Sequence, residues 1–213
     1  MMVDVPDTLP ERLYLLTYDV EKKRMTYRSE LGYLMRAGIL AELLLAGHIA
    51  DATGGPVARA KTLADPLLDE TLQMVAESRR RTWQHWVNKG SGAAARQVRD
   101  RLESGGWIRV ERRHVLGFIP LTKVTVRDTR VVKRLAGTVA SALRGAHPAS
   151  RLDRRDAALA ALAAAVRLRT VMPRADWRAR RVRGEELAEV VAPVPWALRK
   201  AIQAAQAAAG SGG

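Results

Sequence analysis

The residues of this sequence best suited to chemistry are arginines, and two of them share one predicted helix face. Arg96 and Arg99 lie three residues apart in AARQVRDRLES, where the apolar residues Val98 and Leu102 recur at helical spacing. Side chains three apart on a helix are neighbours, and two adjacent guanidinium groups can hold one phosphate group. A solvated helix face explains the same spacing. Spacing alone favours that simpler interpretation.

A third arginine interrupts the most apolar helix that the sequence predicts. Arg36 lies in LGYLMRAGILAELLL, among leucine, methionine, isoleucine and alanine. A charge in such a helix must extend toward solvent, pair with an acid or face a pocket. Glu42 is six residues further along, which is not the spacing of a helical ion pair. Arg36 is therefore a candidate for a ligand-binding position.

Catalytic patterns have little support. None of the four histidines belongs to an HExxH-type pair, and no G-x-S-x-G motif occurs. The segment KGSGAAAR is rich in glycine but lacks the spacing of a phosphate-binding loop, so a plain turn is the better interpretation. Asp65, Asp69 and Glu70 begin a predicted helix, where acids cap the helix more often than they hold a metal. The sequence predicts no enzyme, no metal site and no cofactor.

The overall charge restricts the partners without choosing one. Lys and Arg number 36 against 22 Asp and Glu, so the formal net charge is +14. Such an excess favours nucleic acid, anionic lipid headgroups or an acidic partner, although a GC-rich genome produces the same arginine and alanine bias. Cysteine is absent, which fits a reducing cytosol. No secretory signal and no apolar stretch long enough to cross a bilayer is evident, so any membrane contact is expected to be peripheral.

Hydrophobic periodicity predicts a mainly α fold: a single globular helical domain over residues 11–207. Residues 1–10 are expected to form a tail and 208–213 a flexible end. Residues 21–30 are expected to be a loop around Tyr27, and 170–183 a surface turn. A short hairpin is expected around the turn at 53–56. Helices are predicted over 9–20, 31–46, 65–78, 82–88, 94–104, 131–145, 150–172 and 184–206.

A hydrophobic β-hairpin, at about 107–127, is expected to protrude from this domain. WIRVERRH and FIPLTKVTV are the two predicted strands, and Arg112, Arg113 and Lys123 flank the tip. Apolar groups at the tip can enter a bilayer while these cations stay among the headgroups. Packing into the core or on another subunit, in a homo-oligomer, are the alternatives. The candidate insertion or oligomer contacts are Val115, Leu116, Phe118, Ile119 and Leu121.

Several segments together resemble the Golgi phosphoprotein family of phosphatidylinositol-4-phosphate effectors, which also has bacterial members. Each segment is degenerate alone, but the series occurs in family order and covers roughly residues 11–205. The alanine- and arginine-rich composition suggests a bacterial member and, more narrowly, an actinobacterial one. The matching segments are ERLYLL, MRAGILAELLLAGHI, DPLLDETLQMV, WQHWV, ARQVRDRLESGGWI, the apolar hairpin and DRRDAALAALAAA.

The resemblance implies a single helical domain that binds a lipid phosphate in a basic pocket beside a membrane-facing surface. It places the three pocket arginines on Arg36, Arg96 and Arg99. The family's aromatic pocket residue, a tryptophan, falls on Tyr27. The arginine cluster by which eukaryotic members bind a vesicle coat protein has no counterpart here, so the Golgi role does not carry over.

These observations predict a peripheral membrane protein on the cytoplasmic face of a membrane. It would bind phosphatidylinositol-4-phosphate or a similar anionic phospholipid, insert its hairpin and act as an adaptor for clients that the sequence does not name. The alternative is a winged-helix DNA-binding protein, because a basic helix followed by a two-stranded hairpin matches that order. The apolar tip argues against a wing that meets phosphates. Nucleic acid is therefore not the expected partner.

Overall fold

The computed structural model describes residues 4–27, 29–115, 119–145 and 148–210, without the side chains of 113–115 and 119–121. The described chain forms one mainly α domain with three separate two-stranded antiparallel sheets. Its helices are α1 (Leu9–Leu16), α2 (Leu31–Leu45), α3 (Pro66–Glu77), α4 (Trp83–Asn88), α5 (Ser91–Ser104), α6 (Thr129–Arg144), α7 (Arg154–Ala165), α8 (Arg174–Ala179), α9 (Arg181–Ala188) and α10 (Val194–Gly210). Its strands are β1 (Tyr18–Asp19), β2 (Arg24–Met25), β3 (Ile49–Ala52), β4 (Gly55–Ala58), β5 (Ile108–Val115) and β6 (Ile119–Val126).

Two helices form the centre of the molecule. Helix α2 is buried from Leu34 to Leu43, and α7 is buried on all sides from Ala157 to Ala163. A helix that is apolar all round is stable in water only when other elements enclose it. Helices α1, α5 and α10 pack on α2, while α6 and α9 pack on α7. Alanine on most of α7 lets these neighbours come close.

Side-chain caps fix where several helices begin, as the sequence predicts for α3. The Asp65 carboxylate accepts hydrogen bonds from the amides of Leu67 and Leu68, at 3.0 and 3.3 Å. Asp153 does the same for the first turn of α7. Each such cap satisfies amides that the helix leaves without a partner and is worth about 1 kcal/mol.

A buried carboxylate ties α2 to α1 and α7. Glu42 is 4% exposed and accepts a hydrogen bond from the Leu9 amide, the first residue of α1, at 2.7 Å. Its other oxygen pairs with Arg155 of α7. Glu42 therefore both caps a helix and neutralises an arginine, and it has no hydrogen bond with Arg36.

Four predicted segments are wrong. The helix predicted over 150–172 is shorter, because α7 ends at Ala165, where the Arg167 and Leu168 amides close its last turn. The first helix ends at Leu16 rather than near residue 20, because Tyr18 and Asp19 pair with Met25 and Arg24 as β1 and β2, which interrupt the predicted loop. Residues 170–183 are not only a surface turn: they include α8, whose Trp177 is 4% exposed and anchors it to the core. The predicted C-terminal helix is broken between α9 and α10 at Pro193, since proline cannot donate a helical hydrogen bond.

The predicted hairpin is present as β5 and β6, which pair in register from Ile108 opposite Val126 to Val115 opposite Ile119. Leu116 and Phe118, at the predicted tip, lie outside the described residues, as do the side chains of Val115, Ile119 and Leu121. Their role in membrane insertion or oligomer contact stays a prediction. In the described part of the chain, no helix is both long enough and apolar enough to span a bilayer.

Candidate functional site

Arg36 is buried in the middle of the domain, although it carries a charge. Its side chain is 2% exposed. Nε donates to the Trp86 carbonyl oxygen at 3.2 Å, Nη1 donates to Thr71 Oγ1 at 2.6 Å, and Nη2 lies 3.9 Å from Met74 Sδ. All three partners are neutral. The guanidinium is thus held by α3 and α4 without an ion pair among the described residues.

This environment disfavours the charged form of Arg36. Burial lowers the pKa of Arg36 to about 10, and the nearby Glu70 carboxylate opposes the shift. Glu70 accepts a hydrogen bond from Gln97 of α5, and within the described chain it forms no ion pair with the guanidinium. Arg36 remains protonated near neutral pH. The protein therefore keeps in its interior a positive charge that Glu70 offsets only from a distance.

Gly90 lies next to the Arg36 guanidinium on the side of α5. Gly90, the residue before α5, is exposed and has a positive φ of 76°. A Cβ built on Gly90 would lie 3.6 Å from Cζ of Arg36. Gly90 is therefore an exposed residue that directly adjoins the buried guanidinium.

A second glycine brings α2 and α5 together beside this point. A Cβ built on Gly32 would lie 2.5 Å from the carbonyl oxygen of Ser91, too close for any side chain. The start of α2 thus crosses the start of α5 backbone to backbone. This crossing places Arg36, one turn further along α2, beneath the N-terminus of the helix that carries the other two predicted arginines.

Arg96 and Arg99 lie away from the buried face of α5. That face consists of Ala94, Val98 and Leu102. Arg96 is exposed, and none of the described residues forms an ion pair with it. Arg99 is 18% exposed, and its Nη2 lies 2.8 Å from Oδ1 of Asp100. A phosphate at this face would have to compete with Asp100 for Arg99.

Arg101, the third arginine of α5, has a structural role. Its Nε lies 3.2 Å from Oε1 of Glu11, and it also pairs with Asp65, the cap of α3. Glu11 is 5% exposed and accepts a hydrogen bond from Thr8 at 2.5 Å. This network joins α1, α3 and α5, and Arg101 is already paired with two carboxylates.

Tyr27 lies in a different setting from the three arginines. It is half-buried with a positive φ of 61°, and burial followed by the Glu30 carboxylate raises the pKa of its hydroxyl. Its side chain lines a cleft between the β1–β2 segment, residues 165–174 and α10. Within the described chain, Arg36, Arg96 and Arg99 are not among the residues that line this cleft.

The structure thus brings Arg36 under the start of α5, with Arg96 and Arg99 further along the same helix, and places Tyr27 beside another cavity. Sequence patterns missed Thr71 and Trp86, which hold Arg36, and Gly90, which adjoins it. Thr71 and Trp86 have ordinary core spacing in α3 and α4, so nothing in their patterns distinguishes them. Gly90 does have a signal, because KGSG was recognised as a break before α5. Among the described residues, no group of three or more His, Cys, Asp or Glu side chains could hold a metal ion.

The fold and these groups define a mainly helical, strongly basic, single-domain protein with a buried arginine beneath a helix N-terminus. The chain belongs to the Golgi phosphoprotein 3 (GPP34) family, because the sequence model of that family matches residues 9–205. Among the curated proteins, none matches the chain. The family resemblance found in the sequence is therefore confirmed over most of the chain.

Proposed function

We propose that this chain is a peripheral lipid-binding protein. It recognises a phosphate of an anionic phospholipid headgroup, such as phosphatidylinositol-4-phosphate, through Arg36, Arg96 and Arg99. The buried Arg36 guanidinium with only neutral hydrogen-bond partners is the observation that carries this proposal. A charge in that position is costly unless an anion completes it. A bound phosphate would supply the missing negative partner.

The proposed approach to Arg36 is at Gly90, because this exposed residue has no side chain and a Cβ built on it would lie 3.6 Å from Cζ of Arg36. The N-terminus of α5 begins at the same place and adds the positive end of its dipole. Lys89 is exposed beside it. From there Gly92, Arg96 and Arg99 follow at spacings of four and three, so they share one face of α5. A headgroup held at Gly90 could extend its further phosphates along this face.

Membrane attachment would combine two contributions. Phosphate binding supplies one, and insertion of the apolar hairpin around 115–121 supplies the other, in the manner of two-signal anchors. Arg112, in the middle of strand β5, has its Nη2 3.7 Å from Oδ1 of Asp100, the neighbour of Arg99. This contact links the hairpin to the proposed phosphate-binding face. The predicted contact of Tyr27 with this headgroup is not part of the proposal, because Tyr27 lines a separate cleft. The bound protein would act as an adaptor on the cytoplasmic face rather than as an enzyme.

DNA binding is the second candidate, because α5 followed by β5 and β6 preserves the order of a winged helix. Helix α5 has structural roles in the domain instead: Val98 and Leu102 are buried, and Arg101 forms ion pairs with Glu11 and Asp65. Gel retardation on duplex DNA separates the candidates. A sequence-specific shift would favour the winged helix over lipid binding.

Flotation with phosphatidylcholine vesicles, with and without phosphatidylinositol-4-phosphate, tests the lipid proposal. We expect the parent protein to float only with the phosphorylated lipid. The double variant Arg96→Ala/Arg99→Ala should lose at least about tenfold in affinity, since two charge-assisted contacts disappear.

The control is Arg79→Ala/Arg154→Ala, which removes the same charge from two exposed arginines elsewhere. It should float like the parent. Equal flotation of the Arg96/Arg99 variant and the parent would refute the proposed phosphate contact on α5. Equal losses of vesicle affinity in both double variants would mean that the protein is held by general electrostatic attraction alone.

A further inference from the structure

A basic cavity lies apart from the Arg36 neighbourhood. It has a volume of about 870 Å³ and lies between the β1–β2 segment, residues 165–174 and α10. Six cationic side chains line it against two acidic ones, Asp19 and Glu30. The cations are Lys22, Arg24, Arg167, Arg169, Arg174 and Arg199.

The two acids do not neutralise these arginines. Asp19 lies 3.8 Å from Nζ of Lys22, the one lysine of the set. Glu30 accepts hydrogen bonds from the Ser29 hydroxyl at 2.6 Å and from the Gln206 amide at 3.3 Å. Within the described part of the chain, the five arginines of the cleft form neither an ion pair nor a side-chain hydrogen bond. Five like charges around one cavity repel one another, and an anion between them would remove that repulsion.

The backbone of the cleft has one unusual position. Tyr27, which lines the cleft, has a positive φ of 61°. Residues with side chains rarely adopt this conformation, and where they do it is often at a ligand site. Arg167 also lines the cleft and has a positive φ of 50°, but it closes helix α7, where the amides of Arg167 and Leu168 donate to the carbonyl oxygens of Ala164 and Ala163. Its conformation therefore belongs to an ordinary helix ending.

The size and lining of the cleft indicate a particular class of ligand. A single phosphate ion would leave most of about 870 Å³ empty. Thr26, Ser29, Gln203 and Gln206 add neutral hydrogen-bonding groups, and the Tyr27 ring adds a flat apolar surface. Such a lining suits a compact polar scaffold that carries more than one phosphoryl group, with arginine forks on the phosphates.

We infer that this cleft is a second anion site, which binds a small molecule or headgroup with two or more phosphoryl groups through Arg24, Arg167, Arg169, Arg174 and Arg199. It is separate from the proposed lipid-phosphate contact, because Arg36, Arg96 and Arg99 do not line it in the described chain. Strand β2 contacts β6, so one wall of the cleft adjoins the base of the apolar hairpin. The two sites could therefore be occupied together on one protein.

Isothermal titration calorimetry of the full chain with pyrophosphate, at fixed ionic strength, tests this inference. We expect saturable binding that Arg169→Gln/Arg174→Gln weakens by about tenfold or more. Both arginines are exposed, so the variant should keep the parent's circular dichroism spectrum. The charge-matched control Arg79→Gln/Arg154→Gln should change the pyrophosphate Kd by less than about twofold.

The Arg96→Ala/Arg99→Ala variant should bind pyrophosphate at the cleft like the parent, so failure of the lipid proposal leaves this result unaffected. Flotation of the Arg169/Arg174 variant then identifies the source of the ligand. Reduced flotation on phosphatidylinositol-4-phosphate vesicles means a lipid headgroup, and unchanged flotation means a soluble phosphorylated compound. Absence of saturable pyrophosphate binding, or equal weakening in the control, would overturn the inference.

Discussion

Replacing Arg36 by methionine should abolish binding to phosphatidylinositol-4-phosphate vesicles while leaving the protein as stable as before or more stable. Methionine fills a similar volume without a charge. The folded state disfavours the Arg36 charge, as its lowered pKa of about 10 shows. Exchanging a buried ion for an apolar side chain is often neutral or stabilising, and we expect a gain of up to about 2 kcal/mol in the free energy of unfolding.

Urea denaturation and vesicle flotation on the same Arg36→Met preparation measure the two effects. A structural arginine would behave in the opposite way: its loss would leave the Trp86 carbonyl and the Thr71 hydroxyl without their donor. A loss of more than about 2 kcal/mol would therefore assign Arg36 to the core rather than to ligand binding.

Urea denaturation at several pH values tests the sign of the Arg36 contribution to the free energy of unfolding. The folded pKa of Arg36, about 10, lies below its ordinary value, so the unfolded state binds more protons above about pH 10. The Arg36 contribution to stability therefore rises with pH in that range. The stability difference between Arg36→Met and the parent should shrink there.

A substitution at Gly90 separates the effect of the Arg36 charge from the effect of ligand access to it. Gly90→Asn keeps the Arg36 guanidinium but places a side chain over it, and asparagine tolerates both the positive φ and the cap position. We expect weaker vesicle binding at nearly unchanged stability. Parent-like flotation would show that the headgroup does not approach through Gly90.

The second large effect concerns stability alone. Glu42→Ala should lower the free energy of unfolding by about 3–5 kcal/mol, because it leaves the Leu9 amide without an acceptor and removes the ion-pair partner of Arg155. Glu42→Gln keeps an acceptor for Leu9 without the charge and should lose less. Urea denaturation measures both.

Glu21→Ala is the matched control, because Glu21 is exposed and carries the same charge. Its change should stay within about 0.5 kcal/mol. A loss below about 1 kcal/mol for Glu42→Ala would mean that the three-helix junction does not depend on this carboxylate.

Elements with strong local signals could be predicted from the sequence. Helix α2 with Gly47 after it, α3 with its Asp65 cap and the β5–β6 hairpin all formed close to the expected bounds. Prediction failed where distant contacts decide the structure. Burial of Trp177 orders α8, and the pairing of Tyr18 with Met25 ends α1 early. No local pattern carries either contact.

The candidate site shows the same division. Arg36 could be recognised because a charge in an apolar helix needs an explanation, yet its neutral partners come from residues 35 and 50 positions away. The basic cleft had no sequence signal, since Arg24, Arg167 and Arg199 meet only after folding. Arginines are so frequent in this chain that their number alone could not single out these.

The most direct test of phosphate binding by Arg36 and α5 is a crystal structure of the protein with inositol 1,4-bisphosphate, the soluble headgroup of the proposed lipid. We predict a phosphate at hydrogen-bonding distance from the Arg36 guanidinium, approached at Gly90, with Arg96 or Arg99 turned toward the ligand. A headgroup bound only in the cleft beside Tyr27 and Arg169, with Arg36 still bonded to Thr71 and Trp86 alone, would contradict the proposal.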